Sequence, residues 1–144
     1  MESLIRTIEL EQGTYALKSY SSSGFLDGRN RGDPQMTSIK GRYSEWLIEP
    51  YDRGFTIKNK ETSEYLYADN KSDSIEIRPT LVTEKSMGTK WCFINSDNDT
   101  VIIQNIGING YLDGRHTFDI VYPRVLESPS HNFTKWLLRR IYQS

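Results

Sequence analysis

This sequence has few of the side chains that carry out chemistry. It contains one cysteine, Cys92, so no disulfide can form within the chain. Its two histidines, His116 and His131, are not at the spacing of a metal-binding pair, and no motif of a catalytic nucleophile occurs. These absences argue against an enzyme, and the sequence predicts neither a cofactor nor a metal site.

Net charge and long apolar segments are also scarce. The chain of 144 residues has a formal net charge of −1, so it lacks the basic surplus typical of proteins that bind nucleic acid. No apolar run approaches the ~20 residues of a membrane-spanning helix, and residues 1–6 do not resemble a signal peptide. We expect one soluble domain, residues 1–144, in the cytoplasm, with secretion left open.

Helical periodicity is missing as well, because no segment of a dozen residues sustains it. What the chain does have is a regular series of tryptophans. Trp46, Trp91 and Trp136 are 45 residues apart both times, and each begins the pattern Trp-x-apolar. An apolar side chain two positions after an indole is typical of the inward face of a strand. Self-similarity at a fixed period predicts a repeat architecture with almost no helix.

A second motif follows the same period. Residues 24–29 read Gly-Phe-Leu-Asp-Gly-Arg, residues 110–115 read Gly-Tyr-Leu-Asp-Gly-Arg, and residues 64–69 form a weaker copy. An alternating strand precedes each copy, and its first residue lies eleven positions before the motif's leucine in all three cases. Three repeats of four strands each are therefore predicted, with approximate bounds 13–50, 51–97 and 98–141.

The third strand of each repeat is expected from short apolar alternations. These lie near Met36, at residues 75–77 and at residues 120–122. Pro79 and Pro123 would then follow their strands, where a missing N–H does least harm. The connections that begin at these two prolines are interpreted as long loops.

Three repeats of four short strands, marked by Gly-aromatic-Leu and Trp-x-apolar, resemble the β-trefoil. The resemblance covers residues 13–141 and implies an all-β fold in which six strands close a barrel and six form a triangular hairpin cap. No repeat can bury its own apolar face, so the three are expected to pack around a pseudo-threefold axis. Trefoils include lectins, cytokines, protease inhibitors and actin binders, so the fold by itself leaves the function open.

Asp27 and Asp113, which follow the Gly-aromatic-Leu motif, resemble the sugar-binding aspartate of ricin-B-type trefoil lectins. In that family the carboxylate accepts hydrogen bonds from sugar hydroxyls, and an aromatic ring stacks on the apolar face of the sugar. The chemistry is sound, because a carboxylate only accepts hydrogen bonds and an aromatic plane covers a C–H patch. The resemblance implies sites in the first and third repeats. The second repeat has Tyr67 at this position, so its site is expected to be lost.

In the third repeat the resemblance implies that Tyr122 supplies the stacking ring, with Asn132 or His116 as polar partners. The first repeat has Asp27 but no ring at the equivalent place, so the third site is expected to be the better one. The chain also departs from the lectin family, which has a glutamine two residues before its tryptophan. The residues at that position here are Ser44, Thr89 and Thr134.

Two alternatives stay open at this point. Asp-Gly after a strand is ordinary turn chemistry, so Asp27 and Asp113 can be turn residues without a ligand. The chain can also be a protein-interaction trefoil of the fascin or hisactophilin kind, or a trefoil protease inhibitor. The favoured hypothesis is a non-enzymatic, lectin-like module whose partner is a carbohydrate or glycoconjugate.

Overall fold

A computed structural model describes residues 7–69, 77–115, 122–129 and 132–142. Within these ranges the chain forms twelve strands and two single-turn 3₁₀ helices, neither of which is long or apolar enough to cross a membrane. The strands are β1 (Gly13–Ser19), β2 (Phe25–Asp27), β3 (Gln35–Thr37), β4 (Glu45–Tyr51), β5 (Gly54–Asn59), β6 (Tyr65–Tyr67), β7 (Thr80–Val82), β8 (Trp91–Asn95), β9 (Val101–Asn105), β10 (Gly110–Asp113), β11 (Arg124–Leu126) and β12 (Lys135–Ile141), and the helices are Arg42–Ser44 and Met87–Thr89.

Six of the strands form a closed antiparallel barrel. Its order is β1, β4, β5, β8, β9, β12 and back to β1. Closure leaves the barrel without a free strand edge. The other six strands form the hairpins β2–β3, β6–β7 and β10–β11, which attach to β1, β5 and β9. This arrangement is the predicted β-trefoil, with four strands in each repeat and almost no helix.

The three tryptophans lie at the centre of the core, as predicted. Each indole is 0% exposed. Each indole N–H also donates a hydrogen bond to the backbone carbonyl of the motif leucine in its own repeat: Trp46 to Leu26 at 2.9 Å, Trp91 to Leu66 at 3.0 Å and Trp136 to Leu112 at 3.0 Å. The two sequence markers of each repeat are therefore joined by one buried bond.

A second hydrogen bond fixes the segment that follows the motif leucine. The amide two residues after the leucine donates to the carbonyl three residues before the tryptophan: Gly28 to Tyr43 at 2.9 Å, Ala68 to Gly88 at 3.0 Å and Gly114 to Phe133 at 3.0 Å. The residue held between the leucine and this amide is Asp27, Tyr67 or Asp113. The fold therefore places these three side chains at equivalent positions.

The predicted third strand is right in the first repeat and wrong in the other two. Met36 lies in β3, but β7 and β11 begin after Pro79 and Pro123, not before them. The register explains the shift: Leu81 pairs with Leu66 and Val125 pairs with Leu112, so the inward-facing leucines select these partners. Ile77 forms only an isolated bridge to Val125, and residues 75, 76, 120 and 121 lie outside the described ranges. The connections interpreted as long loops thus contain strands.

Candidate functional site

The two motif aspartates end β2 and β10, and both are buried against arginine. Asp27 is 1% exposed and Asp113 is 0% exposed. Arg29 Nε donates to Asp27 Oδ1 at 3.1 Å, and Arg124 Nη2 donates to Asp113 Oδ2 at 2.7 Å. A buried carboxylate needs such a partner because its desolvation costs several kcal/mol. Neither aspartate therefore faces solvent as a bare charge.

The surroundings of Asp27 are those of a turn. Its Oδ1 accepts the backbone N–H of Arg29 at 3.0 Å, which is the hydrogen bond of an Asx turn. Its Oδ2 accepts the Ser44 hydroxyl at 3.3 Å and Arg29 Nη2 at 3.4 Å. Both carboxylate oxygens are therefore used by the protein itself, as the turn alternative predicts.

Asp113 is held differently. Its partner is Arg124, which lies directly opposite on β11 in the strand register. Arg124 Nε and Nη2 both approach the same oxygen, Oδ2, at 3.1 and 2.7 Å. Within the described part of the chain, Asp113 Oδ1 is buried and has no hydrogen-bond partner. Because burial of an unpaired polar atom is costly, we expect this oxygen to accept a hydrogen bond from a hydroxyl group or a water molecule.

In the first and third repeats, the arginine two residues after the motif aspartate lies against an aromatic ring. Arg29 lies 5.8 Å from the centroid of the Tyr43 ring, and Arg115 lies 4.4 Å from that of Phe133. Sequence reasoning did not assign these residues to the site, although both arginines end the repeated six-residue motif. The aromatic partners, Tyr43 and Phe133, are three residues before a tryptophan in the sequence.

In the second repeat, an aromatic residue occupies the aspartate position and a glycine occupies the position of the ring. Tyr67 replaces the aspartate, and its hydroxyl donates to Asp69, a hydrogen bond that together with burial raises the pKa of Tyr67. Gly88 replaces the ring, and a Cβ at Gly88 would collide with the Tyr67 ring. The ring in this repeat therefore comes from β6, and it leaves a pocket of about 290 Å³ beside Asp69 and Met87.

This exchange predicts that Gly88→Ala destabilises the protein. The added methyl group would lie against the Tyr67 ring and 2.9 Å from the Ala68 carbonyl oxygen, and overpacking of this kind costs about 1–3 kcal/mol. Urea unfolding measures the loss. Gly41→Ala is the matched control, because a Cβ there meets no atom within 4 Å. Equal stabilities of the two variants would contradict the proposed packing, and Tyr67→Ser should relieve part of the Gly88→Ala effect.

The other predicted site residues have separate surroundings. Tyr122 precedes β11 and is not part of the third strand; the Arg78 guanidinium lies 3.7 Å from its ring centroid. Arg78 also pairs with Asp33 at 3.4 Å, so it links the cap hairpins of the first and third repeats. Asn132 is exposed, and its carbonyl accepts the N–H of Lys135 at 3.2 Å. The remaining predicted residue, His116, lies outside the described residues.

The described residues give no indication of a metal centre or a reactive thiol. Among them, no group of three His, Cys, Asp or Glu side chains is placed to hold a metal ion. Cys92 lies half-buried in β8, where its thiol is 3.5 Å from Gln104 Oε1. Burial raises the pKa of the Cys92 thiol, so it stays protonated at neutral pH and is a poor nucleophile.

Comparison with known proteins supports the fold by structure and not by sequence. No protein-family model and no curated protein matches the chain. A designed threefold-symmetric protein, ThreeFoil, has 16% identity and a TM-score of 0.79, with 90% of this chain and 99% of that chain covered. The Rhizoctonia solani agglutinin has 19% identity and a TM-score of 0.77, with 93% and 99% covered.

The ricin B-like lectin of Macrolepiota procera, whose structure contains lactose, is also similar. It has 14% identity and a TM-score of 0.76, with 93% of this chain and 100% of that chain covered. The chain is therefore a β-trefoil that resembles ricin-B-type lectins. Likeness at these identities establishes the fold, and the site must be argued from its own residues.

Proposed function

We propose that this β-trefoil is a non-enzymatic, lectin-like protein that binds carbohydrate in its third repeat, around Asp113. The observation that carries the proposal is the buried Asp113 Oδ1, which has no partner within the described structure. Asp27 has both of its oxygens occupied, so the first repeat does not offer the same acceptor. Asp27 therefore serves the turn, whereas Asp113 has an oxygen that can accept a hydrogen bond from a ligand.

The Asp113–Arg124 pair suits a sugar hydroxyl. A carboxylate only accepts hydrogen bonds and a guanidinium only donates them, whereas a hydroxyl does both. The Arg124 side chain is 15% exposed, so the pair reaches the protein surface through the arginine. A hydroxyl bound here would donate to Asp113 Oδ1 and accept from the arginine.

The rim of the site is proposed to include an apolar surface. Phe133 is half-buried, and its carbonyl accepts the Gly114 N–H at 3.0 Å, so it lies next to the aspartate segment. Aromatic rings cover the C–H face of sugars. We also propose that Tyr122, Asn132 and His116 contribute to this rim. Similarity to two lectins, one of them solved with lactose, supports carbohydrate as the ligand class and does not select a sugar.

Asp113→Asn tests this function directly. The substitution keeps the shape and removes the charge, so charge-assisted hydrogen bonds worth roughly 1.5–3 kcal/mol are weakened. We expect a sugar that scores on a glycan array to bind at least tenfold more weakly, as measured by titration calorimetry. Asp27→Asn should have a smaller effect.

Asp99→Asn is the matched control, since it removes the same charge from an exposed turn residue. Thermal melts of all variants separate loss of binding from loss of fold. Wild-type affinity in Asp113→Asn would make Asp113 a purely structural residue. An array with no bound sugar would refute the carbohydrate proposal and favour a protein-interaction role.

A further inference from the structure

Two loops of the first repeat form a basic surface. Residues 28–31 and 40–43 are joined by the hydrogen bond from the Gly28 N–H to the Tyr43 carbonyl, at 2.9 Å. These eight positions contain Arg29, Arg31, Lys40 and Arg42 and no acidic residue. In a chain with a net charge of −1, this is a local excess of positive charge.

Tyr43 lies between two of these arginines. The guanidinium carbons of Arg29 and Arg42 are 5.8 and 5.2 Å from the ring centroid. Arg42 Nη2 also donates to the Tyr43 hydroxyl at 3.4 Å. Cation–π contacts at such distances hold the ring and the two guanidinium groups together.

Arg29 is both oriented and accessible. Its Nε and Nη2 are fixed by the buried Asp27 carboxylate, yet its side chain remains 56% exposed. The rest of the guanidinium edge therefore faces solvent in a fixed orientation. Pre-organisation of this kind lowers the entropic cost of binding.

Negative charge near Arg42 does not cancel the excess. The hydrogen bond with Tyr43 is the main cause that raises the pKa of Arg42, and the negative charge of Glu61 adds to it. Asp27 is committed to Arg29 and is buried. Two guanidinium groups thus share one ring, and Glu61 is an acidic side chain that acts on Arg42 from outside the two loops.

The other repeats do not reproduce this arrangement. Counted from the tryptophan, the position of Arg42 is occupied by Met87 in the second repeat and by Asn132 in the third. Among the described residues, two arginines share one ring at Tyr43 of the first repeat, whereas Arg115 lies over Phe133 in the third. A ligand bound here would meet two arginines on one tyrosine ring.

We propose that the first repeat binds an anionic saccharide, in which a carboxylate or sulfate group pairs with Arg29 and Arg42 and the sugar ring packs on Tyr43. Guanidinium groups match the oxygens of such anions with two parallel hydrogen bonds. The tyrosine ring offers the apolar face that a pyranose covers. This inference rests on the proposed function, which supplies carbohydrate as the ligand class. It adds that the ligand is anionic and that a second site lies in the first repeat.

The experiment compares wild type with Arg42→Gln, and with Arg139→Gln as a control that removes the same charge from an exposed residue of β12. The probes are a sulfated and a sialylated oligosaccharide, their neutral counterparts, and inorganic sulfate. We expect wild type to prefer an anionic probe by about tenfold, and Arg42→Gln to lose that preference. Arg139→Gln should behave as wild type, and the preference should fall as salt is raised.

The outcomes separate the two proposals. Loss of neutral-sugar binding in Asp113→Asn, with anionic binding kept, supports both. Equal affinity of wild type and Arg42→Gln for the anionic probes overturns the first-repeat site and leaves the third-repeat site intact. Competition by inorganic sulfate at the same concentration as the sulfated oligosaccharide overturns the saccharide part of the inference. Anionic binding without any neutral-sugar binding refutes the third-repeat proposal alone.

Discussion

Trp136→Ala should lower the free energy of unfolding by about 3–5 kcal/mol, the range for large buried aromatic residues. The indole is 0% exposed, and its N–H donates to the Leu112 carbonyl at 3.0 Å. Its ring also fills the space over Gly114, where a Cβ would lie 2.5 Å from Trp136 Cη2. The variant therefore leaves a cavity, an unpaired carbonyl and an unsupported aspartate segment. Denaturant unfolding monitored by circular dichroism measures the loss.

Two variants calibrate this result. Tyr142→Ala removes another aromatic ring from the same end of the chain, but Tyr142 is 79% exposed and its loss should change stability little. Trp136→Phe keeps most of the apolar volume and loses the N–H, so its cost should lie between those of the other two. A loss below about 1 kcal/mol for Trp136→Ala would show that the tryptophans do not hold the repeats together.

Arg124→Met should cost a similar amount, about 3–5 kcal/mol, because it removes one partner of a buried ion pair. Asp113 would be left 0% exposed, with its Oδ2 deprived of both arginine hydrogen bonds. Methionine retains much of the apolar stem of arginine, so the measured loss reports mainly on the charge. Urea unfolding at neutral pH measures the loss.

A double-mutant cycle completes this test. Asp113→Asn in the Arg124→Met background should restore part of the stability, because the amide carries no charge to be compensated. Arg29→Met serves as the comparison, since Arg29 is 56% exposed and Asp27 keeps its Ser44 and backbone hydrogen bonds. Equal losses in Arg29→Met and Arg124→Met, without coupling to Asp113, would contradict the difference between the two aspartates.

Most of the fold could be predicted from the sequence because its determinants are local and repeated. The 45-residue spacing of the tryptophans and the Gly-aromatic-Leu motif marked the same three units that the hydrogen bonds join. The third strands were less predictable. Residues 75–77 alternate between apolar and polar side chains, whereas Thr80–Val82 do not, and only the register opposite Leu66 selects the second segment.

The sequence marks the candidate site around Asp113, but it does not reveal the contacts of that residue. The motif marked Asp113, whereas its partner Arg124 is eleven residues away and is brought opposite only by strand pairing. The sequence shows that the second repeat has Tyr67 in place of the aspartate and Gly88 in place of the ring. It does not show that the Tyr67 ring packs against Gly88, which only the structure reveals. Local patterns reveal strands and turns, whereas side-chain partners across a hairpin depend on register.

The most direct test of a carbohydrate site at Asp113 is a titration of ¹⁵N-labelled protein with the best neutral sugar from the array, followed by NMR. The Arg124 Nε–H donates to Asp113 Oδ2 at 3.1 Å, so its resonance reports on this pair. If sugar binds at Asp113, the resonances of the Arg124 Nε–H and the Gly114 amide should shift on saturation, while that of the Gly88 amide in the second repeat should not. Chemical-shift changes near Gly88, without changes at Arg124 and Gly114, would contradict a carbohydrate site at Asp113.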